Sequence, residues 1–142
     1  MISEIITAIN TKLQEIFPTI HRESKDIKEG FERPSFFVDY DCKTSAIGES
    51  LVQNNIAIKI YYFSSNKYKS RIESIEVIEK LNNAFRLVLS VSETCAIPID
   101  ESSSTILEDG ILIFSFDLVY VYEIAEVTGE LINNLEINIK KG

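Results

Sequence analysis

Residues 111–124 read ILIFSFDLVYVYEI. Leu112, Phe114, Phe116, Leu118, Tyr120 and Tyr122 fall on one side of an extended chain. Ile111, Ile113, Ser115, Asp117, Val119, Val121 and Glu123 fall on the other. Alternation with a period of two over so long a run predicts a strand with one buried face. Asp109-Gly110, just before it, has the pattern of a two-residue hairpin turn. Leu51–Phe63 alternates in the same way, with Ile56, Ile58, Ile60 and Tyr62 set against Ala57, Lys59, Tyr61 and Phe63. Two such strands predict an antiparallel sheet.

Upstream, Phe36, Val38 and Tyr40 share one side and Phe37, Asp39 and Asp41 the other. Pro34 cannot donate a ladder hydrogen bond and holds Arg33 out of the helical region, so it marks a strand start. Thr44–Ser50, with Gly48, reads as a hairpin loop that makes Phe36–Lys43 and Leu51–Phe63 antiparallel neighbours. Thr19–Glu32 is a polar connector anchored by Ile20, Ile27 and Phe31, and part of it is expected as a short edge strand. Ala96–Ile99 contains Pro98 and is expected as another short edge strand. It should be followed by a serine-rich acidic loop over Asp100–Thr105. Gly129 turns the chain again, and Leu135, Ile137 and Ile139 alternate near its end.

Two segments have helical spacing. Ile2, Ile5, Ile6, Ile9, Leu13, Ile16 and Phe17 form a stripe that Pro18 ends. Ser70-Arg71-Ile72-Glu73 has capping-box spacing ahead of Ile72, Ile75, Ile78, Leu81, Phe85 and Val88, which are expected on one helical face. The order is helix, two strands, helix, several strands, without βαβ alternation or a parallel-sheet signal. The fold class expected is α+β, an antiparallel (mixed) β-sheet with two α-helices packed on one face. No repeat or linker divides residues 1–142, so a single domain is expected.

The formal net charge is -8. Residues 1–86 hold 12 Lys/Arg and 12 Asp/Glu, whereas residues 87–142 hold 10 Asp/Glu against Lys140 and Lys141 alone. A C-terminal part so short of cations argues against a groove that grips nucleic acid. It suits a surface that repels nucleic acid or meets a basic partner. No long uncharged apolar run predicts a membrane helix, and MISEIITAIN lacks the basic leader of a secretory signal. Cys42 and Cys95 are read as half-buried reduced thiols.

Motifs for chemistry are sparse. The single histidine, His21, has no signature nucleophile nearby and reads as a polar loop residue. A zinc site normally wants more His and Cys than this chain has. Asp39 and Asp41 share a strand face, where paired carboxylates serve acid–base chemistry or cation binding, or keep a sheet edge soluble. Asp100, Glu101, Glu108 and Asp109 do not follow an EF-hand pattern. Lys59, Lys67, Lys69 and Arg71 gather around the loop that opens the second helix, where they could meet phosphate but read better as a solvated cluster or a docking patch for an acidic neighbour. No cofactor is expected. Both faces of the main strands carry large apolar groups. With helices over one face, Phe37, Tyr61, Phe63, Val119 and Val121 on the other are left to seek cover, within the chain or by association.

The order of a SEIITAINTKLQEIFP helix, a polar connector, a Gly30-Phe31-x-x-Pro34-x-Phe36-Phe37-Val38 motif and a strand carrying Ile58, Ile60, Tyr62 and Phe63 resembles the small tail terminator (tail completion) proteins of Gram-positive phages and phage-like contractile particles. The likeness covers residues 1–90 and, beyond them, the strand order. It implies a non-enzymatic particle component, usually a hexameric ring, on the last ring of the tail tube. Such a ring stops tube growth, anchors the final sheath ring where the tail contracts, and meets neck or collar proteins. It implies assembly in the bacterial host cytoplasm and a place in the virion or in a headless, bacteriocin-like particle. It implies homo-oligomeric, tube, sheath and neck partners, without sequence-specific nucleic-acid or membrane binding. Under it, Pro34, Phe36, Phe37, Val38, Tyr61, Phe63, Leu135, Ile137 and Ile139 are candidate subunit contacts. Asp100, Glu101, Glu108, Asp109 and Asp117 are candidates for a lumen or a partner-facing surface. Two other readings stay open: a head–tail connector or neck protein, and a small ligand-binding domain or enzyme with a pocket beneath the Asp100–Asp109 loop.

Overall fold

In the computed structural model, which describes residues 2–23, 34–65 and 71–124, the core is one face of a sheet roofed by two helices. The elements are α1 (Ile2–Ile16), β1 (His21–Glu23), β2 (Ser35–Ala46), β3 (Leu51–Phe63), α2 (Arg71–Ala84), β4 (Val88–Ser92), β5 (Cys95–Ile106) and β6 (Leu112–Glu123). The strands lie in the order β1-β2-β3-β6-β5-β4. All neighbours are antiparallel except β1 and β2, which run parallel. The fold is α+β, as expected, with one parallel pair that the sequence did not signal. His21 accordingly opens a strand, not a loop. Ladder pairing needs only backbone groups, so three polar residues can take it.

Register carries the alternation of β6 across the sheet. Phe36, Tyr62 and Leu112 form one row of the buried face, and Val38, Ile60 and Phe114 the next. Tyr40, Ile58 and Phe116 follow, then Cys42, Ile56 and Leu118. Against these rows α1 sets Ile5, Ile9 and Leu13, with Phe17 just after it, and α2 sets Val77 and Leu81, with Phe85 just after it. Phe17 meets the Phe36 ring at 4.9 Å, and Phe85 stacks on Phe116 at 5.3 Å. The α1 stripe is the one its spacing predicts.

The α2 stripe is rotated from its expected position. Ser74, Val77 and Leu81 are buried, whereas Ile72 is 75% exposed and Ile75 45%. A helix turns about 100° per residue, so each three-residue step falls about 60° short and the series Ile72–Ile75–Ile78–Leu81 winds halfway round. The helix also ends at Ala84, and Val88 begins β4.

The segment after α2 departs further from expectation. Ala96–Ile99 is no edge strand and Asp100–Thr105 no loop; both belong to β5, which lies between β4 and β6. Residues 95–98 pair with β4, and Ile99–Ile106 pairs with β6 across a register shift between Ile99 and Ser102. The connection to β6 is likewise longer than two residues. Leu107 N–H donates to the Ile111 carbonyl (2.8 Å), leaving Glu108-Asp109-Gly110 as the loop. Gly110 holds φ at 88°, where a side chain would be strained.

Candidate assembly surface

The surface opposite the helices is built from the residues that alternation sends outward. Its first row is Phe37, Tyr61, Ile113 and Thr105, and the next is Asp39, Lys59, Ser115 and Ser103. Asp41, Ala57 and Asp117 follow, then Lys43, Asn55 and Val119. The register shift in β5 sets Asp100 and Glu101 beside Asp117. These three carboxylates and Val119 line one open cleft of about 430 Å³ with Pro98. On the other side of Asp117 a second cleft, of about 410 Å³, is lined by Asp41, Lys43, Asn55 and Ala57.

The five acidic residues singled out in the sequence therefore separate into two places. Asp100, Glu101 and Asp117 come together on the outer face. Glu108 and Asp109 sit in the β5–β6 turn, roughly 20 Å along β6 at about 3.3 Å per residue. The sequence reading missed Asp41 and Lys43 as neighbours of Asp117, because cross-strand proximity depends on register and not on spacing along the chain. The Asp100–Asp109 segment is strand and turn, not one loop, and the cleft that Asp100 and Glu101 line opens on the outer face of the sheet. Among the described residues, no group of three or more His, Cys, Asp or Glu is placed to hold a metal ion.

The apolar residues of this face are better covered than expected. Phe63 is 1% exposed, and Phe37 and Tyr61 are half-buried with ring centroids 6.0 Å apart. Phe63 pairs with the buried Ser35 at the end of the sheet nearest the start of α2. Val119 and Val121 do remain open, each 48% exposed, and Ile47 and Leu51 are exposed at the hairpin end of the sheet.

The edges separate in a similar way. Pro34 is half-buried immediately before β2. Beyond it, β1 occupies the β2 edge from Ser35 to Phe37. From Val38 to Ala46, that edge has no strand neighbour among the described residues. Part of the expected Pro34–Tyr40 border is thus filled by the chain's own connector. At the other margin β4 is the terminal strand, flanked by exposed Leu87 and Val88. Leu135, Ile137 and Ile139, with Gly129, lie outside the described residues, as do Lys67, Lys69 and Ser70.

Two polar clusters hold the frame. Thr44 Oγ1 donates to Asn54 Oδ1 (2.6 Å), and Asn54 Nδ2 donates to the Tyr120 hydroxyl (2.8 Å). Burial pushes the Tyr120 phenol above its ordinary pKa, against the Asn54 hydrogen bond. At the opposite end, Glu73 accepts from the Tyr62 hydroxyl, from Ser65 N–H (2.9 Å) and from Ser65 Oγ (2.6 Å). Burial opposes ionisation of Glu73, but the Ser65 and Tyr62 hydrogen bonds outweigh it and hold the carboxyl below its ordinary range. These partners tie α2 to the end of β3. Cys42 and Cys95 are half-buried free thiols.

What the fold offers is an α+β scaffold with two strand margins that no further strand covers among the described residues, and a patterned outer face. The family described as phage tail terminator protein matches residues 4–137, and the chain belongs to it. It is accordingly a structural protein of the phage tail that contacts other tail components and resides in the virion. None of the curated proteins compared with the chain matches it. Among the described residues, no helix is long and apolar enough to cross a membrane.

Proposed function

We propose that this protein, acting as one domain, caps the end of the tail tube as a homo-oligomeric ring, six copies being the expected number. The ring ends tube polymerisation, receives the last sheath ring where the tail is contractile, and forms the joint to neck or collar proteins. Assembly takes place in the host cytoplasm. It works by shape and charge and makes or breaks no bond. Family membership over residues 4–137 is the observation that carries this reading. The β2 margin from Val38, without a strand neighbour among the described residues, and the terminal strand β4 support it, because heterologous ring contacts need unsatisfied surfaces on both flanks of a subunit. Phe36, Phe37, Tyr61 and Phe63 brace the β2 margin from within the sheet, and Leu135, Ile137 and Ile139 contribute to the subunit contact. Asp100, Glu101 and Asp117 face the lumen or a basic tail component.

The test is deletion of the gene followed by electron microscopy. Overlong or ragged tubes are expected. Tails of normal length without heads would replace this reading with that of a neck protein.

A further inference from the structure

We infer that the gap where β5 leaves β6 takes an extended, cationic segment of another tail component, which adds as a strand to β6 along Val119–Glu123. The β5–β6 ladder ends at the Ile99–Leu118 pair, yet β6 runs on to Glu123. Among the described residues, Val119–Glu123 pairs with β3 alone. Ile99 N–H donates to the Leu87 carbonyl (2.9 Å), so alternate residues in this part of β5 bond to β4 and the next to turn toward β6 is Pro98. Proline has no N–H to give, and the ladder stops there.

The backbone of β6 is aimed into the gap. Ile124 N–H donates to the Ser50 carbonyl (2.7 Å), and Leu107 N–H to the Ile111 carbonyl (2.8 Å). Even-numbered residues of β6 therefore bond to β3, and odd-numbered ones turn toward the β5 side. Val119, Val121 and Glu123 present their N–H and C=O groups along an edge of roughly 17 Å, at about 3.4 Å per residue. The gap is open where it begins, since Pro98 and Val119 are two walls of the cleft of about 430 Å³.

A bare strand edge selects an extended peptide, and charge selects which one. The register shift leaves Asp100 and Glu101 unpaired with β6, and both line that cleft with Asp117. Glu123 lies on the same face at the far end of the edge. No Lys or Arg occurs between Arg86 and Lys140, and each copy carries -8, so a basic tail component matches this edge better than a second copy does. On the opposite face Tyr120 and Tyr122 stack at 6.0 Å, and Tyr122 is 45% exposed. The segment that fits sets Lys or Arg beside Val119 and Glu123 and apolar residues beside the two tyrosines. This contact deepens the capping reading, on which it rests, by giving Asp100, Glu101 and Asp117 a basic partner to face in place of a lumen.

The probe is an acetylated and amidated peptide, Arg-Val-Thr-Val-Arg, titrated into the protein and followed by NMR amide exchange. In the free protein the Val121 and Glu123 amides should exchange fast and those of Tyr120 and Tyr122 slowly. The peptide should slow Val121 and Glu123 several-fold, and its Glu-Val-Thr-Val-Glu counterpart should leave them unchanged. Asp117→Asn should weaken binding several-fold, whereas Glu108→Gln, in the β5–β6 turn, should not. Pro98→Val restores the missing donor, so it should protect Val119 in the free protein and lower peptide binding. A Val121 amide already slow without peptide would mean that the chain fills its own gap, and would overturn the inference. Binding that protects no amide, or that Glu108→Gln weakens as much as Asp117→Asn, would reduce it to charge alone and overturn it too. Complementation of the deletion strain keeps the two readings apart. Tube length restored by the wild type, with no amide protected by the peptide, would remove the added strand and leave the cap. Protection without restored length would do the reverse.

Discussion

Glu73 is a single carboxylate that fixes where a helix begins. Its oxygens take one side-chain donor from β3 and two donors from Ser65, so α2 is anchored to the strand before it. Hydrogen bonds to a charged group are worth about 1.5–3 kcal/mol when well buried; Glu73 is only half-buried, so Glu73→Gln should cost about 1 kcal/mol near neutrality. The sign with pH follows from the lowered pKa. The contribution is present above the carboxylate's unfolded value and is lost as pH falls through the folded one. Denaturation of wild type and variant should therefore converge in acid. A gap that persists unchanged at low pH would assign the effect to packing. Tyr62 has the opposite shift, raised by burial and then by Glu73, so stability should decline as pH climbs past the ordinary phenol value of 10. Gly110 is the other position where one residue decides geometry. At φ 88°, Gly110→Ala should cost about 1 kcal/mol without altering the fold.

At the scale of elements, the legible parts were those whose alternation or stripe is strong: α1, β2, β3 and β6. Their pairings followed as well, because Gly48 and the flanking runs leave one simple hairpin. The illegible parts share a physical reason. β5 takes its place from backbone pairing with β6 while exposing serines, so its Asp100–Thr105 half has no apolar signal; Ser103 and Ser115 simply face each other with Oγ atoms 3.1 Å apart. Hydrogen exchange should separate the two descriptions: alternate amides in Ser102–Ile106 protected to the degree of β6, or all fast as in a loop. α2 was legible as a helix but not in its rotation. Ile72→Lys should change stability by no more than about 0.5 kcal/mol, whereas Leu81→Ala should cost about 2–5 kcal/mol. Equal costs, measured by urea denaturation, would mean that the face is assigned wrongly. As for the candidate site, the residues were legible but their grouping was not. Asp117 was visible in the sequence, yet Asp41 joins it only through the β2–β3–β6 register.

For the whole molecule the governing quantity is charge. Each copy carries -8, and a ring places several such copies side by side. Repulsion between them opposes closure at low ionic strength, since the Debye length is about 30 Å at 0.01 M and about 8 Å at 0.15 M. Self-association by analytical ultracentrifugation should therefore strengthen as salt rises through this range. The outer face is the sensitive place, because Asp100, Glu101 and Asp117 crowd one cleft there while Lys43 and Lys59 are spread along neighbouring rows. A combined Asp100→Asn, Glu101→Gln, Asp117→Asn variant should associate more readily at low salt and respond less to added salt. Attraction to a basic tail component has the reverse salt dependence: binding to isolated tube ends would weaken with salt and be weaker still for the variant. If the same three carboxylates serve both purposes, the variant gains in self-association what it loses at the tube. A variant that changes neither would remove this cleft from the assembly and leave the strand margins as its working surface.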